Sequence, residues 1–294
     1  MSSIWEEIRF KVIRSGSNVN KLIGINIAVY LALGLIYVFE TLITKQTVFH
    51  DKLYDNLALP AYLPNILPKF WTVFTYMFMH NIELSFGAVL RFVFNMLWFF
   101  WIGQIFEEYL GAKKLLSIYL FGGLFGAAFF ILGYNLFPAF TELKLHDVAI
   151  GAPACVMAVI VGTATLLPDY TIFMMFIGAV RLKWIALVYV ILDILFLMGP
   201  NSGNILAHLG GALLGFVYIR QLQHGNDWGA AMAKIFKRRS KLKVAAKNGT
   251  KITNTKPRQD EIDRILDKIS QTGYESLSKQ EKETLFRASN DDKS

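Results

Sequence analysis

The sequence predicts an all-α, polytopic membrane protein: a six-transmembrane-helix bundle followed by a cytoplasmic C-terminal helical tail. Three observations carry this. Of the 294 residues, 54% are hydrophobic and 18% charged, with a mean hydropathy of +0.41, which excludes an ordinary soluble domain. The apolar residues gather into blocks close to the ~20 residues that a bilayer-spanning helix needs. The basic residues fall in alternate connections, as in loops that stay in the cytoplasm.

The blocks run from about Leu22 to Leu42, Leu90 to Phe106, Leu115 to Phe137, Val148 to Leu167, Trp184 to Met198 and Ile205 to Leu222. The second begins beside Arg91 and the fifth contains Asp193, so each brings a charge into or near the bilayer. Arg9, Lys11, Arg14 and Lys21 precede the first block, and Lys113-Lys114 and Arg181–Lys183 lie in short loops. Lys234, Lys237, Arg238, Arg239, Lys241, Lys243 and Lys247 follow the last block. Six spans with both termini cytoplasmic satisfy this distribution. The formal charge of +8 is then a juxtamembrane feature that suits anionic lipid headgroups, and no nucleic-acid partner is expected. No signal peptide is expected, because the first span is full length. Cys155, the single cysteine, lies within a span, so no intrachain disulfide forms.

Four regions follow. Residues 1–20 read as a cytoplasmic amphipathic leader: Ile4, Trp5, Ile8 and Val12 share one helical face, and Ser3-Ile4-Trp5-Glu6 fits a capping box. A disordered leader fits the same residues equally well. Residues 21–222 form the membrane domain. Within it, Thr44 to about Ala88 is too apolar for a solvated loop and too broken by Pro60, Pro64 and Pro68 for a span, which predicts a re-entrant or interfacial element. Thr171–Ile177 and Val180–Trp184 flank Gly178-Ala179 as a small β-hairpin. Residues 223–257 are a basic, flexible linker. Residues 258–294 form a helical hairpin, with Ile262, Ile265, Leu266 and Ile269 as one stripe, Gly273 as a stop, and Ser278-Lys279-Gln280-Glu281 capping a second helix.

The fourth and sixth blocks carry matching small residues. Ala154, Ala158 and Gly162 recur at four-residue spacing, and Ala207, Gly211 and Gly215 do the same, so the two helices should pack face to face. Plain packing explains that spacing. His208, near the close face, asks for more, since an ionisable side chain inside a span is costly and points to function. Arg91 either snorkels to the headgroups or turns inward to pair with Asp193.

Gly151-Ala152-Pro153-Ala154 at the head of the fourth helix, and Ala207-His208-Leu209-Gly210-Gly211 in the sixth, resemble the two halves of the active site of the rhomboid intramembrane serine proteases. In that family a Gly-x-Ser-Gly motif supplies the nucleophile and Ala-His-x-x-Gly its base. Arg91-Phe92-Val93-Phe94-Asn95 stands where a His-x-x-x-Asn pair helps hold the oxyanion, so Asn95 is kept and the histidine is arginine. An earlier family histidine corresponds to His80, with an insertion before Arg91, and the outer-loop Trp-Arg pair to Trp71-Thr72. Glu107-Glu108-Tyr109-Leu110-Gly111 matches a family Glu and helix-ending Gly, and Gly122 and Gly126 a third-span pair. The likeness spans Lys21 to Gln221, and the tail resembles an extension of some bacterial members.

The resemblance implies a rhomboid fold whose site is vestigial: Pro153, His208, Asn95, Arg91, Gly151 and His80, backed by the packing residues Ala154, Ala158, Gly162, Gly211 and Gly215. Pro153 has neither hydroxyl nor backbone N–H, so it can neither attack a carbonyl nor donate to an oxyanion. No serine lies between Ser117 and Ser202, Thr163 and Thr165 sit about three turns deeper, and Cys155 is turned about 200° from Pro153. The reading is a catalytically inactive pseudoprotease that binds transmembrane segments without cleaving them. An active serine-type endopeptidase with a non-standard site and a structural assembly protein are the alternatives. Membrane lipids and transmembrane clients are the expected partners. His50, His80, His146, His208 and His224 are dispersed, so no metal or cofactor is expected.

Overall fold

A computed structural model describes residues 16–82, 85–174, 178–199, 202–229 and 259–291. The chain divides into two compact units, Met1–Lys237 and Arg238–Ser294. The leader's amphipathic stripe and nearly all of the basic linker lie outside the described residues.

The first unit is built on helices. Those of ten or more residues among the described ones are α1 (Asn18–Thr44), α2 (Val48–Leu57), α3 (Phe86–Leu110), α4 (Ala112–Leu136), α5 (Pro153–Leu166), α6 (Leu182–Leu195) and α7 (Ser202–Gln223). Four of them, α1, α3, α4 and α7, are long and apolar enough to cross a membrane. The other two apolar helices, α5 and α6, have 14 residues each. That is about 21 Å of helix, short of the ~30 Å hydrocarbon core.

The start of α5 corrects the fourth block. Val148 and Ala149 are not helical: they form β2, which pairs antiparallel with β1 (Leu59–Pro60), Leu59 opposite Ala149 and Pro60 opposite Val148. Gly151 then takes φ 102°, a conformation that favours glycine, and the helix begins at Pro153, whose missing N–H costs nothing in a first turn. The proline-broken segment before α3 is thereby tied to the bundle. Ala61 N donates to Asp147 O at 3.0 Å, Asn135 Nδ2 to Ala61 O at 2.8 Å and Thr75 Oγ1 to Leu57 O at 2.8 Å. Ala58, Leu59, Ala61, Tyr76, Met77 and Met79 are buried, so protein covers this irregular backbone.

Glu107, near the end of α3, secures α1. Its carboxylate accepts from Ser17 Oγ at 2.6 Å, Asn18 N at 2.7 Å and Val19 N at 3.3 Å. A carboxylate at a helix N-terminus satisfies orphan donors and complements the helix dipole. Gly111, at φ 84°, then turns α3 directly into α4.

At the centre of the unit, α5 is buried from Ala154 to Ile160, and α4 and α7 pack most closely against it. A Cβ on Gly211 would fall 2.1 Å from Ala154 O, and one on Gly215 2.3 Å from Ala158 O, so α5 and α7 meet backbone to backbone. On α4, a Cβ at Gly122 would lie 2.4 Å from Ala158 Cβ, and one at Gly126 2.6 Å from Ala154 Cβ. Gly162, one turn beyond Ala158, faces Ile118 in the same way.

The small sheet before α6 is β3 (Thr171–Met174) with β4 (Gly178–Arg181), Phe173 opposite Ala179. Its second strand therefore begins at Gly178, and Leu182–Trp184 belong to α6 rather than to the hairpin. Asp169 accepts from Lys183 Nζ at 2.7 Å and Arg181 Nη1 at 3.2 Å, which hold its carboxyl below the usual carboxylate range.

The second unit contains α8 (Gln259–Thr272) and α9 (Lys279–Asp291). Ser278 and Glu281 form a reciprocal capping box: Ser278 N donates to Glu281 Oε2 at 2.7 Å and Glu281 N to Ser278 Oγ at 3.3 Å. Lys268 Nζ reaches the same carboxylate at 2.9 Å, and these contacts, Lys268 first, push the Glu281 pKa down from 4.5 to about 2. The stabilisation this carboxylate gives is thus complete above about pH 4.5 and disappears as pH falls towards about 2. Hydrogen exchange of the full chain should show α9 losing protection over that window, and Glu281→Gln should remove this pH dependence. A profile unaltered by the substitution would refute the assignment.

Candidate functional site

A cavity of about 490 Å³ lies where α3, α6 and α7 meet the start of α5. The approach to α5 is fixed on both sides. Gly151 N donates to Tyr76 O at 2.8 Å, and Ile150 N to Asn204 Oδ1 of α7 at 3.3 Å. A Cβ on Gly151 would fall 2.8 Å from Pro153 Cδ, so the glycine serves both its φ and the proline ring beside it.

The proposed site residues Pro153, His208, Asn95, Arg91, Gly151 and His80 all line this one cavity. The small residues Ala154, Ala158, Gly162, Gly211 and Gly215 lie behind it, in the packing of α5 with α7 and α4. His80 comes from the segment before α3. Its Nε2 lies 2.9 Å from Asn26 Oδ1 of α1, and its ring sits edge-on to Phe92 at 4.6 Å. The eleven-residue gap between His80 and Arg91 therefore does not part them in space.

His208 Nδ1 meets Asp193 Oδ1 of α6 at 3.2 Å. Asp193 takes His208 as its partner, while Arg91 is exposed at the cavity wall. Where Asp193 accepts, Nδ1 is the donor, and in a neutral imidazole Nε2 then carries the lone pair. His208 Nε2, Asp193 Oδ2 and Asn95 Nδ2 are buried and make no hydrogen bond to any described residue. Buried polar atoms left without a partner are costly in so apolar a setting.

The arrangement puts an imidazole held by a carboxylate and a side-chain amide on one cavity. Among its described lining residues there is no serine, threonine or cysteine, and Tyr189 carries the one hydroxyl. Cys155 is wholly buried on another side of α5, where a Cβ on Gly123 would lie 2.8 Å from its Sγ. Thr163 and Thr165 return their hydroxyls to Val159 O and Val161 O within their own helix.

Sequence reasoning missed the His208–Asp193 pair, the His80–Asn26 bond and the part played by Asn204. The signal for the first was present. A lone acid in one span, followed after a short turn by a lone histidine in the next, places both near the same depth in antiparallel neighbours.

A family model for the Rhomboid domain matches residues 67–223. A second, for a family of unknown function (DUF6576), matches residues 253–291. Among curated proteins the chain is similar to the rhomboid protease GlpG of Salmonella newport and of Salmonella heidelberg. Each is 31% identical over 123 residues, covering 36% of this chain and 40% of the relative. The same protein of Salmonella choleraesuis is 30% identical over 123 residues, with the same coverage. The chain thus spans 40% of the length of these relatives.

Proposed function

Because the chain belongs to the rhomboid family, we propose that it is a pseudoprotease of that family, which binds transmembrane segments without cleaving them. One observation carries the reading: Pro153 lies at the start of α5 on the same cavity as His208 and Asp193, and no serine, threonine or cysteine is among that cavity's described lining residues. A base without a nucleophile cannot form an acyl-enzyme. Proline also withdraws the backbone N–H that a nucleophile position offers an oxyanion, and Arg91 replaces a second oxyanion group. The retained base, amide and cavity can still receive polar groups of a segment that enters between the helices.

In this reading α5 and α6 join the four longer helices as six spans, with both termini cytoplasmic and the protein in a bacterial inner membrane. The test is proteolysis in reconstituted vesicles. Incubated with a labelled single-span substrate, the purified protein should give no cleavage above a protein-free control, while photocrosslinkers at Phe92 or Leu192 trap the uncut segment. Cleavage that Tyr189→Phe or Cys155→Ala abolished would assign a nucleophile and overturn the proposal. Absence of any trapped segment would favour a structural role.

A further inference from the structure

A second cavity, larger than the first at about 870 Å³, runs along α4. Its long wall is a stripe of one helix face, Lys113, Leu116, Ser117, Leu120 and Leu124, at the three- and four-residue spacing of neighbours on a helix. Phe74 also lines it, while Lys113, Lys114 and Asp227 gather at the end where α4 begins. The surface between is almost entirely apolar, and Ser117 has its hydroxyl occupied by Lys113 O at 3.0 Å.

Dimensions and charge together choose an occupant. From Lys113 to Leu124 the helix advances about 17 Å, against the ~15 Å of hydrocarbon in one leaflet. The groove is therefore one leaflet deep, with its charged end at the headgroup level. Lys114 Nζ is matched by Asp227 at 3.7 Å, whereas Lys113 forms no ion pair with a described residue, so the mouth keeps a positive charge. A partner helix is ~10 Å across. An extended acyl chain is narrower and needs no hydrogen bonds from the apolar walls.

We propose that this groove is a binding site for an anionic phospholipid of the leaflet at the Lys113–Lys114 end. The phosphate is held at Lys113 and an acyl chain lies along Leu116 and Leu120 towards Phe74. The proposal requires only that α4 crosses the bilayer, and is independent of whether the site at Pro153 is active.

Native mass spectrometry of the full chain, released from nanodiscs of phosphatidylcholine with rising phosphatidylglycerol, tests it. One phosphatidylglycerol should be retained in preference to phosphatidylcholine. Lys113→Gln should weaken that preference about fivefold, the loss expected for one basic residue at a lipid surface, while Arg220→Gln leaves it unchanged. Leu120→Trp, which fills the groove, should abolish retention of both lipids at this site. Equal retention of the two lipids, or indifference to both Lys113→Gln and Leu120→Trp, would overturn the proposal. So would a photoprobe at Leu120 that crosslinked only to the chain itself.

Discussion

Gly211→Ala is expected to destabilise the membrane domain severely, although it adds a single methyl group. The new Cβ would sit 2.1 Å from Ala154 O, a backbone atom of a buried helix that no rotamer change can move. Relief requires α7 to withdraw from α5 by roughly an ångström, which also opens the contact at Gly215, where a Cβ would stand 2.3 Å from Ala158 O. Overpacking of this kind costs about 1–3 kcal/mol in a core, and helix association within lipid rests largely on the close packing being lost. Thermal unfolding in detergent should show a clear drop, while Leu213→Ala, at a 45%-exposed position of the same helix, leaves the midpoint nearly unchanged.

Two compensating variants sharpen this. Gly122→Ala meets Ala158 Cβ at 2.4 Å, and its next neighbours stand at 3.5 Å, so adding Ala158→Gly should restore much of the stability. Ala154→Gly should not rescue Gly211→Ala, because the opposing atom is the Ala154 carbonyl and remains after the side chain is gone. Rescue of the second pair would mean that α5 and α7 are not in this register, and failure of the first that α4 and α5 are not.

The contrast also explains what the sequence discloses. Small residues every fourth position mark the meeting faces of α5 and α7, because the helix repeat puts them on one line whatever surrounds them. His208 stands out for its cost in a span. The partner of Asp193 is harder to read. Along α6, from Leu182 to Leu195, nearly every residue is apolar, so no face is specified and the rotation that turns Asp193 to His208 is set by packing alone. Val148 to Ile150 is equally apolar whether strand or helix. Its pairing with Leu59 and Pro60 is two residues long and joins segments some ninety residues apart, too short and too distant for any periodicity to reveal. The folded course of residues 48–78 is hidden for the same reason, because its turns are fixed by partners such as Asp147 and Asn135 rather than by local pattern.

Pro153→Ser is expected to turn a protein inert to serine-directed reagents into one that a fluorophosphonate labels covalently. The fold should tolerate the change, since serine is well accepted where a helix begins and the loss of proline's restricted backbone costs only about 0.4–1 kcal/mol. The serine would gain a hydroxyl and a backbone N–H on the cavity where His208 Nε2 makes no hydrogen bond to a described residue. With Nδ1 donating to Asp193 at 3.2 Å, Nε2 of a neutral His208 keeps its lone pair and can take the hydroxyl proton as Oγ attacks phosphorus and fluoride leaves. Adding His208→Ala should slow labelling by about 10²–10⁴-fold, the usual worth of a positioned base. Asp193→Asn should slow it as well, because an amide can hold Nδ1 as an acceptor and so place the proton on Nε2, the wrong nitrogen for a base. Labelling of Pro153→Ser that ignored both second substitutions would show a hydroxyl reacting without the pair, and the pair would then be a structural tie between α6 and α7. A folded Pro153→Ser that never labelled would mean that the cavity has lost the geometry of a protease as well as its nucleophile.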